Sequence, residues 1–291
     1  MFNISKYNPI IAWWSGGVTS AFACRFCLNW FGNENVRIIF IDTHNEDDDT
    51  YRFKAECEKW YEKDIEIICS DKYKTIQDVW YDNLSLNVAT GAVCSYYLKR
   101  VVREKFEKEN NFSFQSFGFD IKEINRAKGM KENNPKSKAI FPLIYELLTK
   151  KECTRILEKE NNLFHPLRLP RAYYEGYHNN NCFKTGCVQG GIGYWQKIKR
   201  EYPQKFDEMA KIEHEISERK GKIVTILRQE ISVKGDKIKI PVFLKPNLNH
   251  PEIKDLSMLR DVPMLQLLEC NGFCGTNDLE INKSIYELNI S

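Results

Sequence analysis

Three short apolar runs alternate with two longer amphipathic segments inside the first seventy residues, and this alternation restricts the fold more than any other feature. "NPIIAWW" (8–14) reads as a first strand, "NVRIIFIDT" (35–43) as a second and "DIEIICS" (64–70) as a third. Between them, residues 19–31 place Ala21, Ala23, Cys24, Cys27 and Leu28 on one helical face. Residues 47–62 carry Thr50, Phe53, Ala55, Cys57 and Trp60 at helical spacing among charged side chains. The second strand is continuously apolar, the pattern of a parallel strand covered on both faces. Such an order predicts right-handed crossovers and an α/β fold with a doubly wound, mostly parallel, Rossmann-like sheet.

Further along, residues 91–109 read as a basic helix, "FSFQSFGF" (112–119) as a fourth strand and the lysine-rich stretch 128–138 as a loop. "AIFPLIYELL" begins strand-like and turns helical after Leu143. A Gly- and Asn-rich segment (173–195) precedes a helix at 196–219, and the tail alternates strand-like pieces such as "KIVTIL" and "DKIKIPVFL" with turns. The expected division is an α/β domain over 1–170 and a helical and irregular, Cys-containing region over 171–291. No apolar run approaches the ~18 residues needed to span a bilayer. The N-terminal stretch has no long apolar core of a secretory signal, so a cytoplasmic protein without membrane contact is expected. A net charge of +3 is too small to argue for a nucleic-acid partner by itself.

The first strand runs into "WWSGGVTS" (13–20). Glycines let the backbone approach an anion, the following helix turns its N–H groups and positive dipole end to the same place, and Ser15 and Ser20 add hydroxyls. Thr19 is placed to cap the helix. The glycine spacing is neither that of a Walker loop nor that of the dinucleotide fingerprint. From spacing alone, an anion cradle and a plain strand–helix turn remain equally open.

Together with the second strand and the segments beyond it, the loop resembles that of the PP-loop adenine nucleotide α-hydrolase superfamily, and within it the phosphoadenosine phosphosulfate (PAPS) reductase-like family. The second strand ends in an Asp-Thr pair, an acidic residue and a Thr-Tyr entering the next helix, here Asp42, Thr43, Glu46, Thr50 and Tyr51. "CSYYLKRV" (94–101), "GFDIKEINRAKG" (118–129) and "FPLIYELLTKKECTRIL" (141–157) are similar to further elements of that family, and the similarity runs from about residue 8 to about residue 215. The resemblance implies ATP or a PAPS-type adenine nucleotide held by Ser15, Gly16, Gly17, Val18, Thr19 and Ser20, with Asp42 and Thr43 bordering the adenosine. It also implies that Lys99 and Arg126 neutralise phosphate or sulfate; a solvated helix face is the plainer reading of such cations. Many ATP-using members have Asp where Thr19 stands, so a magnesium ion is less secure here, and the acidic stretch 46–49 reads first as a favourable helix start.

Ten cysteines in a chain of this kind point to free thiols or metal ligands rather than disulfides. Cys24, Cys27, Cys57 and Cys69 lie within predicted strand or helix and read as buried core thiols. Cys94, Cys182, Cys187, Cys270 and Cys274 lie beside turn residues. Cys182, Cys187, Cys270 and Cys274 form one candidate zinc or iron–sulfur set, Cys94 with Cys182 and Cys187 another, and free or redox-active thiols a third possibility. "LECNGFCGTNDLE" (268–280) lacks the Glu-Cys-Gly-Leu-His tail of sulfonucleotide reductases. The aromatic group Tyr173, Tyr174, Tyr177, Tyr194 and Trp195 reads as core more readily than as a base-stacking platform. The expected function is ATP-dependent adenylation of an acceptor coupled to sulfur transfer, with Cys94, Lys99, Arg126, Cys182 and Cys187 as catalytic candidates. A nucleic acid or small molecule would be the acceptor and a sulfur-donor protein the partner. A PAPS or adenylyl-sulfate reductase and a non-catalytic nucleotide-binding module stand as the alternatives.

Overall fold

A computed structural model of the protein describes residues 7–88, 91–160, 167–180, 182–233 and 235–265. Its centre is a five-stranded sheet of β1 (Ile10–Trp14), β2 (Val36–Ile41), β3 (Ile65–Ile68), β4 (Phe114–Ser116) and β5 (Ala139–Ile140). The spatial order is β3-β2-β1-β4-β5, and every pairing is parallel. The chain therefore leaves β1 toward β2 on one side and returns to β4 on the other.

Alternation along β1 sorts the core into two layers. Ile10, Ala12 and Trp14 pack with Val36, Ile38 and Phe40 beneath α1 (Val18–Phe31), α2 (Asp48–Tyr61) and the 150–160 helix. Ile11, Trp13 and Ile39 face the opposite way, onto Phe106, Ala127 and Met130. These last three come from α4 (Val101–Glu109) and α5 (Ile124–Asn133), α3 being Ile76–Asn83. Both faces of the sheet are thus covered, the doubly wound arrangement that the continuous apolar run of β2 requires.

A second core joins α3 and the segment before α4 to the later part of the chain. Val79, Trp80 and Leu98 pack there with Phe183, Trp195 and Phe206. The elements that bring the last residues in are α7 (Ile192–Glu201) and α8 (Pro203–Lys220), with α6 being Lys150–Glu160. An antiparallel hairpin, β6 (Leu227–Val233) and β7 (Asp236–Val242), closes it.

Several local expectations are corrected. The stretch 128–138 is not an open loop: α5 covers most of it and a 3-10 turn, Pro135–Ser137, the rest, because Ala127 and Met130 supply a buried face. The single helix expected over 196–219 is two, divided at Tyr202 by Pro203, whose ring cannot continue the preceding helix. "KIVTIL" becomes strand only at Leu227. Cys24, Cys27 and Cys57 are buried as expected, whereas Cys69, just past the end of β3, is exposed.

Candidate functional site

β1 ends where the strand order reverses, and in open parallel sheets ligands bind in the crevice outside the strand C-termini at that point. A cleft lies there, lined by Trp13, Trp14, Ser15 and Ser20 from the β1–α1 loop, Ile41 at the end of β2, and Phe117, Gly118 and Phe119 after β4. Lys99 and Arg103 complete it.

The loop has the construction of an anion cradle. Gly16 sits at φ 82°, a left-handed conformation that only glycine adopts freely. Gly17, at φ −97°, is the N-cap of α1, and neither a side-chain cap nor an acidic residue occupies the first turn. Thr19 is therefore not the cap that the sequence suggested. Ser20 organises the loop instead: its hydroxyl donates to the Gly17 carbonyl at 2.8 Å and accepts from the Ser15 backbone N–H at 3.0 Å. Gly118 lets β4 press against this turn, because a Cβ there would stand 2.7 Å from both Cα and N of Ser20.

Lys99 and Arg103 are brought to the cleft by an irregular helix. Val93–Ser95, a π-helical stretch over Tyr96–Arg100 and α4 run on from one another. A π-turn widens the helix locally and is frequent at functional sites. Both cations are buried, and Arg103 is also ion-paired with Glu107. Arg103 was missed in the sequence; its position one helical turn past Lys99 is the signal that would have found it. Arg126 is not among the cleft-lining residues. It pairs with Glu123 and lies 4.5 Å over the ring of Phe119, which does line the cleft.

Lys99 also borders a second, smaller pocket, lined by Thr43, Cys94, Cys182, Gly186 and Cys187 among others. Three of the candidate cysteines thus share one pocket, and Lys99 borders both it and the cleft. Burial pushes the Cys182 thiol well above its ordinary range; the Lys99 charge opposes this, and Glu46, Cys187 and Cys94 reinforce it. Glu46 is buried as well. Its carboxyl is raised chiefly by burial and drawn down by Lys99, the Cys182 backbone N–H and the Thr43 hydroxyl. Asp42, also buried, accepts bonds from the Tyr51 hydroxyl and the His44 N–H.

Two further residues of the acidic stretch are engaged in structure. Asp47 caps α2 by accepting from the Asp49 N–H and pairs with Arg171, while Asp49 pairs with Arg52. Among the described residues, no three Cys, His, Asp or Glu side chains are grouped so as to hold a metal ion. Cys94, Cys182 and Cys187 as they stand do not fit zinc or a cluster by themselves, and Cys270 and Cys274 lie outside the described residues. Of the aromatic group, Tyr177, Tyr194 and Trp195 are core, Tyr174 is exposed, and the Tyr173 hydroxyl accepts from the Val18 N–H at 3.4 Å.

The segment carrying Cys182 is stitched to the sheet side. The Cys182 N–H donates to Glu46 at 3.1 Å, the Asn45 amide to the Thr185 hydroxyl at 2.9 Å and the Lys184 N–H to the Asn45 carbonyl at 3.2 Å. Asn180 reaches furthest, to the Gly16 carbonyl and the Thr50 hydroxyl.

No protein-family model and no curated protein sequence matches the chain. Among solved structures it is similar to the phosphate complex of a PAPS reductase from Candida auris, at 14% identity and TM-score 0.43, over 60% of this chain and 81% of that one. It is similar to a U34-tRNA thiolase from Methanococcus maripaludis with its [4Fe-4S] cluster, at 16% identity and TM-score 0.38, over 74% of each chain. It is also similar to an NH3-dependent NAD synthetase from Campylobacter jejuni in complex with nitrate, at 14% identity and TM-score 0.39, over 74% of this chain and 84% of that one. In fold, the chain is an α/β, Rossmann-like protein whose five-stranded parallel sheet is flanked by helices.

Proposed function

We propose that the chain is a PP-loop enzyme that binds an adenine nucleotide in the cleft, adenylates an acceptor with ATP and passes sulfur to it from the thiol pocket. One observation carries this reading: Lys99 borders the cleft and the pocket of Cys94, Cys182 and Cys187 at once. A phosphate-binding loop and a set of thiols that share one buried cation are the two halves of such a reaction.

The nucleotide's phosphates lie against Gly16, Gly17 and the first turn of α1, with Ser15 and Ser20 as hydroxyl donors and Asp42 and Thr43 toward the adenosine. An acceptor oxygen attacks the α-phosphorus and pyrophosphate leaves. Lys99 and the loop N–H groups offset the charge that grows on the phosphate, in a site where Lys99 is desolvated and its field is strong. A sulfur nucleophile then displaces AMP from the adenylated carbon. Carried as a persulfide on one pocket cysteine, that sulfur is released when a second cysteine attacks the sulfur–sulfur bond. The products are a thiolated acceptor and a cysteine disulfide, which a thiol reductant must reopen and a sulfur donor must reload. The acceptor class is a nucleic-acid base or a small molecule with a carbonyl-type oxygen.

Arg103 favours a second reading. A further buried cation in the same cleft suits a sulfonucleotide: a pocket thiolate would attack its sulfur, break the sulfur–oxygen bond and expel the adenosine phosphate, leaving a cysteine S-sulfonate. A second thiol would then attack the cysteine sulfur, forming a disulfide and releasing sulfite. Incubating the purified protein with ATP, and separately with PAPS and adenylyl sulfate, under anaerobic thiol-reducing conditions separates the two. Acceptor-dependent pyrophosphate and AMP support sulfur transfer, sulfite supports the reductase, and tight binding with neither product makes the chain a binding module.

A further inference from the structure

We propose that Asn180, which lies in the cysteine-bearing segment far from the loop in sequence, is a positioning residue for the phosphate loop: it orients the Gly17 N–H as an anion donor. The proposal rests on the nucleotide reading above and adds a residue that no motif of the chain pointed to.

Asn180 is buried, with 1% of its surface exposed. Its Nδ2 donates twice, to the Thr50 hydroxyl at 2.8 Å and to the Gly16 carbonyl at 3.3 Å. Turned over, the amide would set its own oxygen against the Gly16 oxygen, so the Gly16 carbonyl, which can only accept, fixes which way it faces. Its Oδ1 has no partner among the described residues. A buried amide oxygen left without a donor is unfavourable, and the fold keeps this amide for its two donated bonds.

The Gly16 bond matters through peptide geometry. Every peptide bond among the described residues is trans, and in a trans peptide the carbonyl and the next N–H point in opposite directions across one plane. Holding the Gly16 carbonyl toward Asn180 therefore turns the Gly17 N–H to the opposite side of the loop. Gly16 at φ 82° has wide conformational freedom, so the 16–17 peptide is the one in the loop most in need of an outside restraint. Asn180 supplies it from a segment that also places Cys182, two residues on, against Glu46. Loop and thiols are thereby held by one stretch of chain.

The test compares wild-type protein with Asn180→Asp, which keeps the side-chain size and removes the donor, and with Thr50→Val, which removes only the other acceptor. Two quantities are read: the Gly17 amide resonance in ligand-free protein by nitrogen–proton correlation spectroscopy, and ATP affinity by calorimetry. The expected result is a displaced Gly17 resonance and at least tenfold weaker ATP binding in Asn180→Asp, the range of one hydrogen bond to a charged group. Thr50→Val should leave the resonance in place and the affinity within about twofold, on the order expected where no bond to the charged group is lost. An unmoved Gly17 resonance in Asn180→Asp, or an equal response from Thr50→Val, overturns the proposal while the nucleotide reading stands. Wild-type protein that binds neither ATP nor PAPS overturns the nucleotide reading, and with it the ligand named here. That failure is distinct because the Gly17 resonance is recorded without ligand.

Discussion

Replacing Gly118 by alanine tests whether close packing of β4 on the first turn of α1 shapes the phosphate loop. The added Cβ would lie 2.7 Å from Cα and N of Ser20 and 3.0 Å from the carbonyl carbon of Thr19, against an ordinary contact distance of 3.4 Å or more. The neighbours are backbone atoms, so no side chain can swing aside. The first turn must withdraw by about 0.7 Å, the difference between 3.4 and 2.7 Å. Overpacking of this kind costs about 1–3 kcal/mol, which in a chain of this size lowers the melting temperature by roughly 2–4 °C per kcal/mol. The effect on binding is larger in proportion, because the turn that moves carries Ser20 and the N–H groups of the loop. Donors shifted by most of an ångström lose alignment, and ATP affinity should fall by more than about tenfold, one bond to a charged group. Quenching of Trp13 and Trp14, which line the cleft, offers a titration signal at a temperature where both proteins are folded. Gly191→Ala is the matched control, since a Cβ there meets nothing within 4 Å. A Gly118→Ala protein that binds ATP as tightly as wild type would refute the reasoning.

Two other positions give separate tests. Lys99→Met should weaken ATP at least tenfold, on the scale of a lost charge-assisted bond, and leave adenosine affinity unchanged in parallel calorimetric titrations; equal losses for both ligands would mean that Lys99 supports the fold rather than the phosphates. Glu213 is fully buried and accepts the Ile226 and Leu244 N–H groups, and burial raises its carboxyl from 4.5 to about 8. The folded protein therefore holds that proton more tightly than the unfolded chain does. Stability from this group is complete below pH 4.5, is lost as pH rises toward about 8 and levels off above it. Urea titrations across that range should show the decline, and Glu213→Gln should flatten this slope while lowering stability overall. An unchanged slope in the variant would assign the pH dependence to other groups.

The first half of the sheet was legible because its pattern is simple. β1, β2 and β3 are apolar runs bounded by turn residues, and Phe53, Cys57 and Trp60 mark the inner face of α2 where helical spacing put them. α5 was not legible, since it buries only Ala127 and Met130 amid lysines and a glycine. The glycine loop was readable as a motif, yet the residues that shape it were not. Ser20 rather than Thr19 organises the turn, and Gly118 works by a close approach that sequence spacing does not encode. Cys94, Cys182 and Cys187 were grouped in the sequence only as one of three alternatives, because their meeting in one pocket depends on contacts between segments about ninety residues apart. Arg126 was placed at the phosphates by resemblance; it pairs with Glu123 and lies over the ring of Phe119, a cleft-lining residue, without lining the cleft itself.

Calorimetric titration of ATP into wild-type protein and into the Gly16→Val, Gly17→Val double variant tests the central claim most directly. Valine cannot adopt φ 82° at position 16 without strain, and a β-branched side chain at either position fills the space an anion would take. The account predicts saturable ATP binding by the wild type and none by the double variant, with the far-ultraviolet dichroism of the two alike. Equal binding by both proteins would show that "WWSGGVTS" is only a turn and would contradict the account.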